Sequence, residues 1–455
     1  MKSIQLLFVS CFCFFSSIGL NAEVLLTNRI QKLIADSRFD NAITLIDSAL
    51  VLEGVRPDLN TQDIGSQNLA ETSRSNVARL FAWKGASLKE LYAFDDAINA
   101  YNLAIMLDSG NTPRYMIEAA SVCKLKQDYQ QALVYYEKAF KRDSSNKYLL
   151  IEKANCEFLT EQYLPALNDF HDFYLKDSLN VYVVKCMGSC FTKLGLYDQA
   201  IELYVKALKI HPYDDEAVLS LARLYQKIKD YKAGIQITES FREKDSANKA
   251  INSLNAMLYF SNKETEIAVE RFKSCLEKGD SSKFVYKNLG IAYFTISEFD
   301  SAKIHLEKAY QLDSEDVNVL HLLGISCYES FYKELGIKYL EKAITLYEPE
   351  ERNIAMVYKN FSEACARWSP CPLEKILNAT LMAYQYNPKD ANLALSLSDI
   401  YERLKDYSNA VVYLEIYLKD LRSQEKGGTA VNSRSKNLED RLQKLKEKAA
   451  LAPAV

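Results

Sequence analysis

The chain repeats itself every 34 residues, and that period constrains the fold more than any other feature. Segments starting at Val181, Asp215, Lys249, Lys283 and Val317 follow one another at a constant step of 34, and the step extends backwards through Lys147 to Pro113. Outlying copies begin near Ala78, Ala355 and Ala391, and a half copy near Glu23. A unit this short cannot bury its own apolar face. It is stable only when stacked on neighbours, which makes the chain an array. A single compact core is also excluded by length, since 455 residues exceed what one ordinary core supports.

Counted from each start, position eight is small, as in Ala120, Ala154, Gly188 and Gly290. Position twenty is small almost throughout: Ala97, Ala132, Ala166, Ala200, Gly234, Ala268, Ala302, Gly336 and Ala410. Position seventeen is usually aromatic, as in Tyr129, Tyr163, Tyr197, Tyr231 and Phe299. Between these marks, apolar residues recur at helical spacing in two blocks, which predicts two amphipathic helices per unit. Small residues at eight and twenty let the two helices approach closely. Five units close with Asp-Ser, for example Asp143-Ser144 and Asp313-Ser314, a pair expected to end one helix and cap the next. With only 14 Gly and 9 Pro, the chain has too few turn formers for a sheet-rich fold.

Val184, Met187, Gly188, Phe191, Ala200, Tyr204, Ala207 and Pro212 stand at positions four, seven, eight, eleven, twenty, twenty-four, twenty-seven and thirty-two of one unit. This pattern resembles the tetratricopeptide-repeat (TPR) family over about residues 27–421. It departs from the family mainly at thirty-two, where Ser usually replaces Pro. The resemblance implies an all-α fold, a right-handed α-solenoid of about ten to eleven TPR helix pairs. It further implies non-catalytic binding of other proteins. In TPR arrays the first helix of each unit lines an inner groove through positions two, five, nine, twelve and thirteen. Those positions give Tyr148, Phe158, Tyr182, Lys185, Arg223, Phe260, Phe294 and Tyr328 as candidate binding residues. Their aromatic rings either anchor a ligand or pack against adjacent helices. Some TPR domains clamp a terminal carboxylate with Lys at five and Asn at nine. Here Asn155 accompanies Ile151 and Lys185 accompanies Ser189, so no unit carries that pair.

Outside the repeats, residues 1–22 read as a secretory signal peptide. Lys2 supplies the positive start, Leu6 to Phe15 an apolar core too short for an ordinary spanning helix, and Ala22 a small residue for cleavage. Cys11 sits too early in that segment to favour lipid anchoring. An exported protein, periplasmic or secreted, is expected, similar in its Tyr- and Lys-rich style to exported TPR proteins of Bacteroidota. Residues 23–50 form a divergent half repeat, 51–77 a polar insertion, 78–421 the solenoid, 422–434 a flexible linker with Gly427-Gly428, and 435–455 a charged capping helix and tail.

The chemistry is sparse. There is no phosphate-binding loop, nucleophile elbow or His-Glu-x-x-His. His171, His211, His305 and His321 fall on different units at unrelated positions, which suits packing or surface roles. The chain is therefore expected not to be an enzyme and to need no cofactor or metal. A net charge of −4, from 56 basic and 60 acidic residues, gives no footprint for nucleic acid. Eight cysteines follow residue 22, mostly at packing positions, and Cys365 with Cys371 is the one pair placed to form a disulfide or to remain as two thiols. The expected partners are envelope proteins, with any membrane association made through a partner. The competing function is a glycan or small-ligand receptor that stacks its ligand on the groove aromatics.

Overall fold

The computed structural model describes residues 25–59, 61, 71–108, 110, 112–346, 353–368, 370–425 and 432–451. The expected signal peptide, the linker glycines and part of the 51–77 insertion lie outside them. Every regular element among the described residues is a helix. Helix α1 covers residues 25–35 and pairs with α2 (Phe39–Leu52). Then follow α3 (Glu71–Glu90) with α4 (Phe94–Leu107), α5 (Thr112–Leu125) with α6 (Tyr129–Arg142), α7 (Lys147–Leu159) with α8 (Tyr163–Tyr174), and α9 (Val181–Lys193) with α10 (Tyr197–Ile210). After α11 (Asp215–Lys227) and α12 (Tyr231–Arg242) come α13 (Lys249–Ser261) with α14 (Thr265–Glu277), α15 (Lys283–Thr295) with α16 (Phe299–Leu312), and α17 (Val317–Glu329) with α18 (Lys333–Leu346). The series closes with α19 (Ile354–Arg367) and α20 (Leu373–Tyr386), α21 (Ala391–Arg403) and α22 (Tyr407–Glu425), and a last helix, α23 (Asn432–Leu451). The chain divides into two compact units, one ending at Leu224 and one starting at Tyr225. Each is a solenoid of stacked helix pairs.

The small residues sit where the period puts them. Ala97, Ala132, Ala166, Ala200, Ala268, Ala302 and Ala410 are fully buried. A methyl group added to Gly290 would lie 2.6 Å from Leu306 Cγ, and one on Gly336 would lie 2.6 Å from the Gly324 carbonyl oxygen. Hydrogen in place of a side chain is what permits these crossings.

The turn inside each pair follows one rule that composition hid. Position fifteen has positive φ in unit after unit, at Tyr92, Gln127, Glu161, Lys229, Lys263, Ser297, Phe331 and Lys405, with glycine only at Gly195. The amide of residue sixteen then donates back to the carbonyl of residue eleven: Asp128 to Cys123, Asp230 to Tyr225 and Glu298 to Tyr293, each at 2.9 Å. This six-residue closure is a Schellman stop, which normally favours glycine. Position sixteen starts the second helix, and where it is Asp its carboxylate accepts from the amide three residues on, as Asp128 does from Gln131 and Asp230 from Ala233.

The turn between pairs corrects one expectation. The Asp of Asp-Ser does not cap the next helix. Asp177, Asp245 and Asp313 each accept from the amide two residues on, holding a tight turn. The cap comes from the residue just ahead of each first helix, position thirty-four in the regular units: Asn146, Asn180, Asp214, Asn248, Ser282, Asp316 and, after the longer unit, Asp390 all accept a first-turn amide.

Three boundaries also move. The expected half repeat is a full pair, because Ile30 on α1 is buried with Ile46 and Leu50 of α2. The insertion is less polar in effect than in composition: Val55 and Leu59 are buried, and α3 already begins at Glu71. At the other end α22 runs on to Glu425, and α23 packs Leu438, Leu442 and Leu445 against its Leu414 and Leu418. Arg441 fastens that helix to Glu402 and Asp399.

Candidate functional site

The structure separates the eight groove candidates by what their side chains already touch. Position twelve belongs to packing. Phe158 meets Tyr163 edge-on at 5.5 Å, and Phe294 meets Phe299 edge-on at 5.6 Å, so the ring at twelve braces the ring at seventeen across the turn. Phe260 is half-buried against the cluster around Phe272. Tyr328 is 7% exposed within the cluster of Ile337, Leu340 and Phe361. Phe158, Phe260 and Phe294 are half-buried and Tyr328 is buried, so each of these candidate rings already makes helix contacts.

Position five is also engaged. Lys185 Nζ donates to both carboxylate oxygens of Asp214, at 3.0 and 2.9 Å, and to Glu216 at 2.5 Å. Partial burial works against its charge, and the two carboxylates outweigh that and raise its pKa. Lys287 with Asp316 and Lys359 with Asp390 repeat the arrangement at 2.7 and 2.8 Å. In all three, Lys at five reaches the capping Asp of the next unit. Lysine at position five is therefore a brace between repeats, and Lys185 is not a free cation.

Position two is different. Tyr148 is 57% exposed and Tyr182 is 47% exposed, with the Tyr182 hydroxyl donating to Asn155 Oδ1 at 2.8 Å. Burial of its ring face raises the Tyr182 pKa. One and two units earlier, position two is Arg114 and Arg79, both exposed. The first-helix face of the first unit thus reads Arg79, Arg114, Tyr148, Tyr182. The sequence reasoning missed its cationic half, although the register alone would have found it. Arg79 and Arg114 line a cavity of about 510 Å³ with Trp83, Lys89, Tyr115, Asp108 and Glu118 among its walls. The Arg79 guanidinium lies 5.4 Å from the Trp83 ring centre. Lys89 is answered by Glu118 at 4.0 Å. Arg114 makes no ion pair with a described residue. Arg223 is likewise exposed and makes no ion pair with a described residue.

Of the four histidines, His305 and His321 pack among neighbours and His171 and His211 are exposed. His305 lies parallel to Tyr293 at 5.5 Å, its Nδ1 buried with no partner among the described residues. Burial lowers its pKa, and the Lys273 charge adds to that. His321 is held by Asn360 at 2.7 Å, and burial lowers its pKa to about 4. Among the described residues no group of His, Cys, Asp or Glu is placed to hold a metal, and no helix is long and apolar enough to cross a membrane.

One buried ionic cluster was not foreseen. Glu157 occupies position eleven, where the family pattern has Tyr, and is 3% exposed. Its Oε1 meets Lys153 Nζ at 2.7 Å, and the same ammonium reaches Asp169. Its Oε2 has no partner among the described residues.

Two family profiles described as tetratricopeptide repeat match residues 113–146 and 192–258, inside the region where the 34-residue helix pairs are most regular. The chain is a tetratricopeptide-repeat protein. Among curated TPR-bearing relatives, the bovine BBSome complex member BBS4 is 23% identical over 281 residues, which cover 58% of this chain and 53% of that protein. A TPR repeat-containing protein of Methanocaldococcus jannaschii is 31% identical over 162 residues, covering 33% and 28%. The chain thus spans about half the length of the first relative and less than a third of the second. Among solved structures, a TPR protein from Parabacteroides merdae aligns at 16% identity with a TM-score of 0.44, over 55% of this chain and 99% of that one. TPR proteins generally mediate protein–protein interaction and are non-catalytic.

Proposed function

We propose that this TPR protein is an exported, non-catalytic scaffold that binds segments of cell-envelope proteins along the first-helix face of its first unit. The observation that carries this reading is the exposed position-two stripe Arg79, Arg114, Tyr148, Tyr182. Elsewhere on the candidate list, aromatic rings and lysines are spent on packing. Here large rings and guanidinium groups, the side chains that dominate binding hot spots, face outward in register. Stacked helices lie roughly 10 Å apart, so the stripe runs on the order of 30 Å, about nine residues of extended chain at roughly 3.3 Å each. Charge complementarity then favours a segment with acidic residues opposite the arginines and apolar residues opposite the tyrosines.

The test is capture of partners from extract of the source cells by wild type, by Tyr148→Ala/Tyr182→Ala, and by Tyr213→Ala as an exposed control off the stripe. Loss of capture in the double variant alone, with an unchanged melting curve, supports the face. Equal capture by all three places binding elsewhere, and retention on polysaccharide in place of protein favours a glycan receptor. Export is tested separately by the mass of the mature N-terminus. Cleavage after Ala22 is expected, and a retained Met1 overturns it.

A further inference from the structure

The eight cysteines among the described residues are of two kinds. Cys123, Cys156, Cys190, Cys275 and Cys327 are buried free thiols on helices, and Cys186 is half-buried against Tyr182. Cys365 and Cys371 are also free thiols, but the backbone folds one onto the other. At the end of α19 the amide of Trp368 donates to the Cys365 carbonyl at 3.1 Å, and the amide of Cys371 donates to the Trp368 carbonyl at 3.0 Å. Two successive turns reverse the chain, so that Cys371 packs on the cluster that contains Cys365.

The two thiols have unlike surroundings. Cys365 is fully buried. Burial, and then the adjacent Cys371, push its pKa up. Cys371 is half-buried and stands two residues ahead of α20, at the end of the helix where free backbone amides favour an anion. The Lys375 ammonium, anchored by Glu341, acts on both sulfurs. Cys371 is the accessible thiol of the pair, while apolar burial keeps Cys365 inert until a bond is offered beside it.

We propose that Cys371 and Cys365 form a dithiol modification site that closes to an intramolecular disulfide by exchange with a small external disulfide. The Cys371 thiolate attacks one sulfur of that disulfide, forming a mixed disulfide and expelling one thiolate. Cys365 then attacks the Cys371 sulfur, expelling the second thiolate, which takes up the Cys365 proton. Two protein thiols are oxidised and one external disulfide is reduced to two thiols. The new bond ties the end of α19 to the start of α20 around Trp368. That ring shares a cavity of about 490 Å³ with Phe331 and Tyr332, so closure fixes one wall of an exposed aromatic edge.

The experiment uses the reduced full chain, oxidised glutathione as the probe, acid quenching and mass analysis of the intact protein and its peptides. Wild type is expected to become lighter by two hydrogens, with one cross-link joining Cys365 to Cys371 and the other thiols unreacted. Cys365→Ser is expected to stop at a glutathione adduct on Cys371. Folded Cys371→Ser is expected to carry no glutathione on Cys365, because that thiol is buried. Melting curves of both variants establish that they are folded, and Cys371→Ala serves if the serine is not tolerated. A stable glutathione adduct on wild-type Cys371, an unreacted wild type, or a cross-link between any other pair overturns the proposal.

Discussion

Replacing Glu157 by Gln should make the protein more stable at neutral and alkaline pH, with the gain fading towards about pH 5. The carboxyl is 3% exposed, has one partnered oxygen, and shares Lys153 with Asp169. Burial raises its pKa from the ordinary 4.5 to about 7, with the Lys153 bond pulling back and the Asp169 charge adding to the rise. For an acid whose folded pKa lies above its unfolded value, the folded state binds the extra proton. The associated stability is fully present below about pH 4.5 and lost as pH rises through about 7. A displacement of that size corresponds to roughly 3 kcal/mol at its upper limit. Gln keeps the shape and removes the charge. It also takes one of two carboxylates from Lys153, a loss of roughly 1 kcal/mol. A net gain of roughly 1–2 kcal/mol is therefore expected at about pH 8, shrinking to nothing near pH 5. The assay is the urea midpoint of both proteins at several pH values from 5 to 8.5. A Gln variant that is less stable than wild type at pH 8 would show that the Glu157 carboxylate stabilises the fold as an ion, and the reasoning would fail.

Three further outcomes follow from the repeat geometry. Asp316 is 9% exposed at its side chain and bonds Lys283, Lys287 and the Val319 amide, which overcome its burial and hold its pKa down to about 2. Asp316→Asn should therefore lose roughly 1–2 kcal/mol at neutral pH, and the difference should fade as pH falls from about 4 towards 2 in thermal melts. Gly336→Ala should lower stability by roughly 1–3 kcal/mol, since the added carbon meets a carbonyl oxygen at 2.6 Å, and an unchanged melting temperature would count against the crossing. Lys229→Gly should raise stability by roughly 0.5–1 kcal/mol, because Lys229 holds φ at +64°, and a destabilised variant in the same melts would mean that the Lys229 side chain contributes more than its backbone strain removes.

The array was legible because its evidence is redundant. Ala132, Ala166, Ala200, Ala268 and Ala302 report the same helix crossing five times, and each is fully buried. The turns were less legible, because Schellman closures are usually betrayed by glycine. Here backbone at positive φ is occupied by Gln127, Glu161, Lys263 and Ser297, residues that announce nothing. Position thirty-four escaped for a related reason. Asn, Ser and Asp alternate there, so no single letter marks the cap, whereas the Asp-Ser dipeptide three residues earlier is conspicuous and serves only the turn. The first interaction across the insertion, Val55 and Leu59 beneath α3, was hidden by the polar letters around it.

The candidate site was legible by register but not by role, and the reason lies in how a repeat uses its aromatic residues. Position twelve and position two both fall on the first helix and both carry rings. At twelve, a ring lies within reach of the aromatic at seventeen on the partner helix, so Phe158 and Phe294 find an edge-on partner inside their own unit. At two, Tyr148 and Tyr182 stay exposed, the second with its hydroxyl on Asn155. Position five follows the same logic with charge. A lysine there finds the capping Asp of the next unit, so Lys185 serves the array before it can serve a ligand. What stays exposed on the first helices of the first unit stands out at position two, where Arg114 joins Tyr148 and Tyr182.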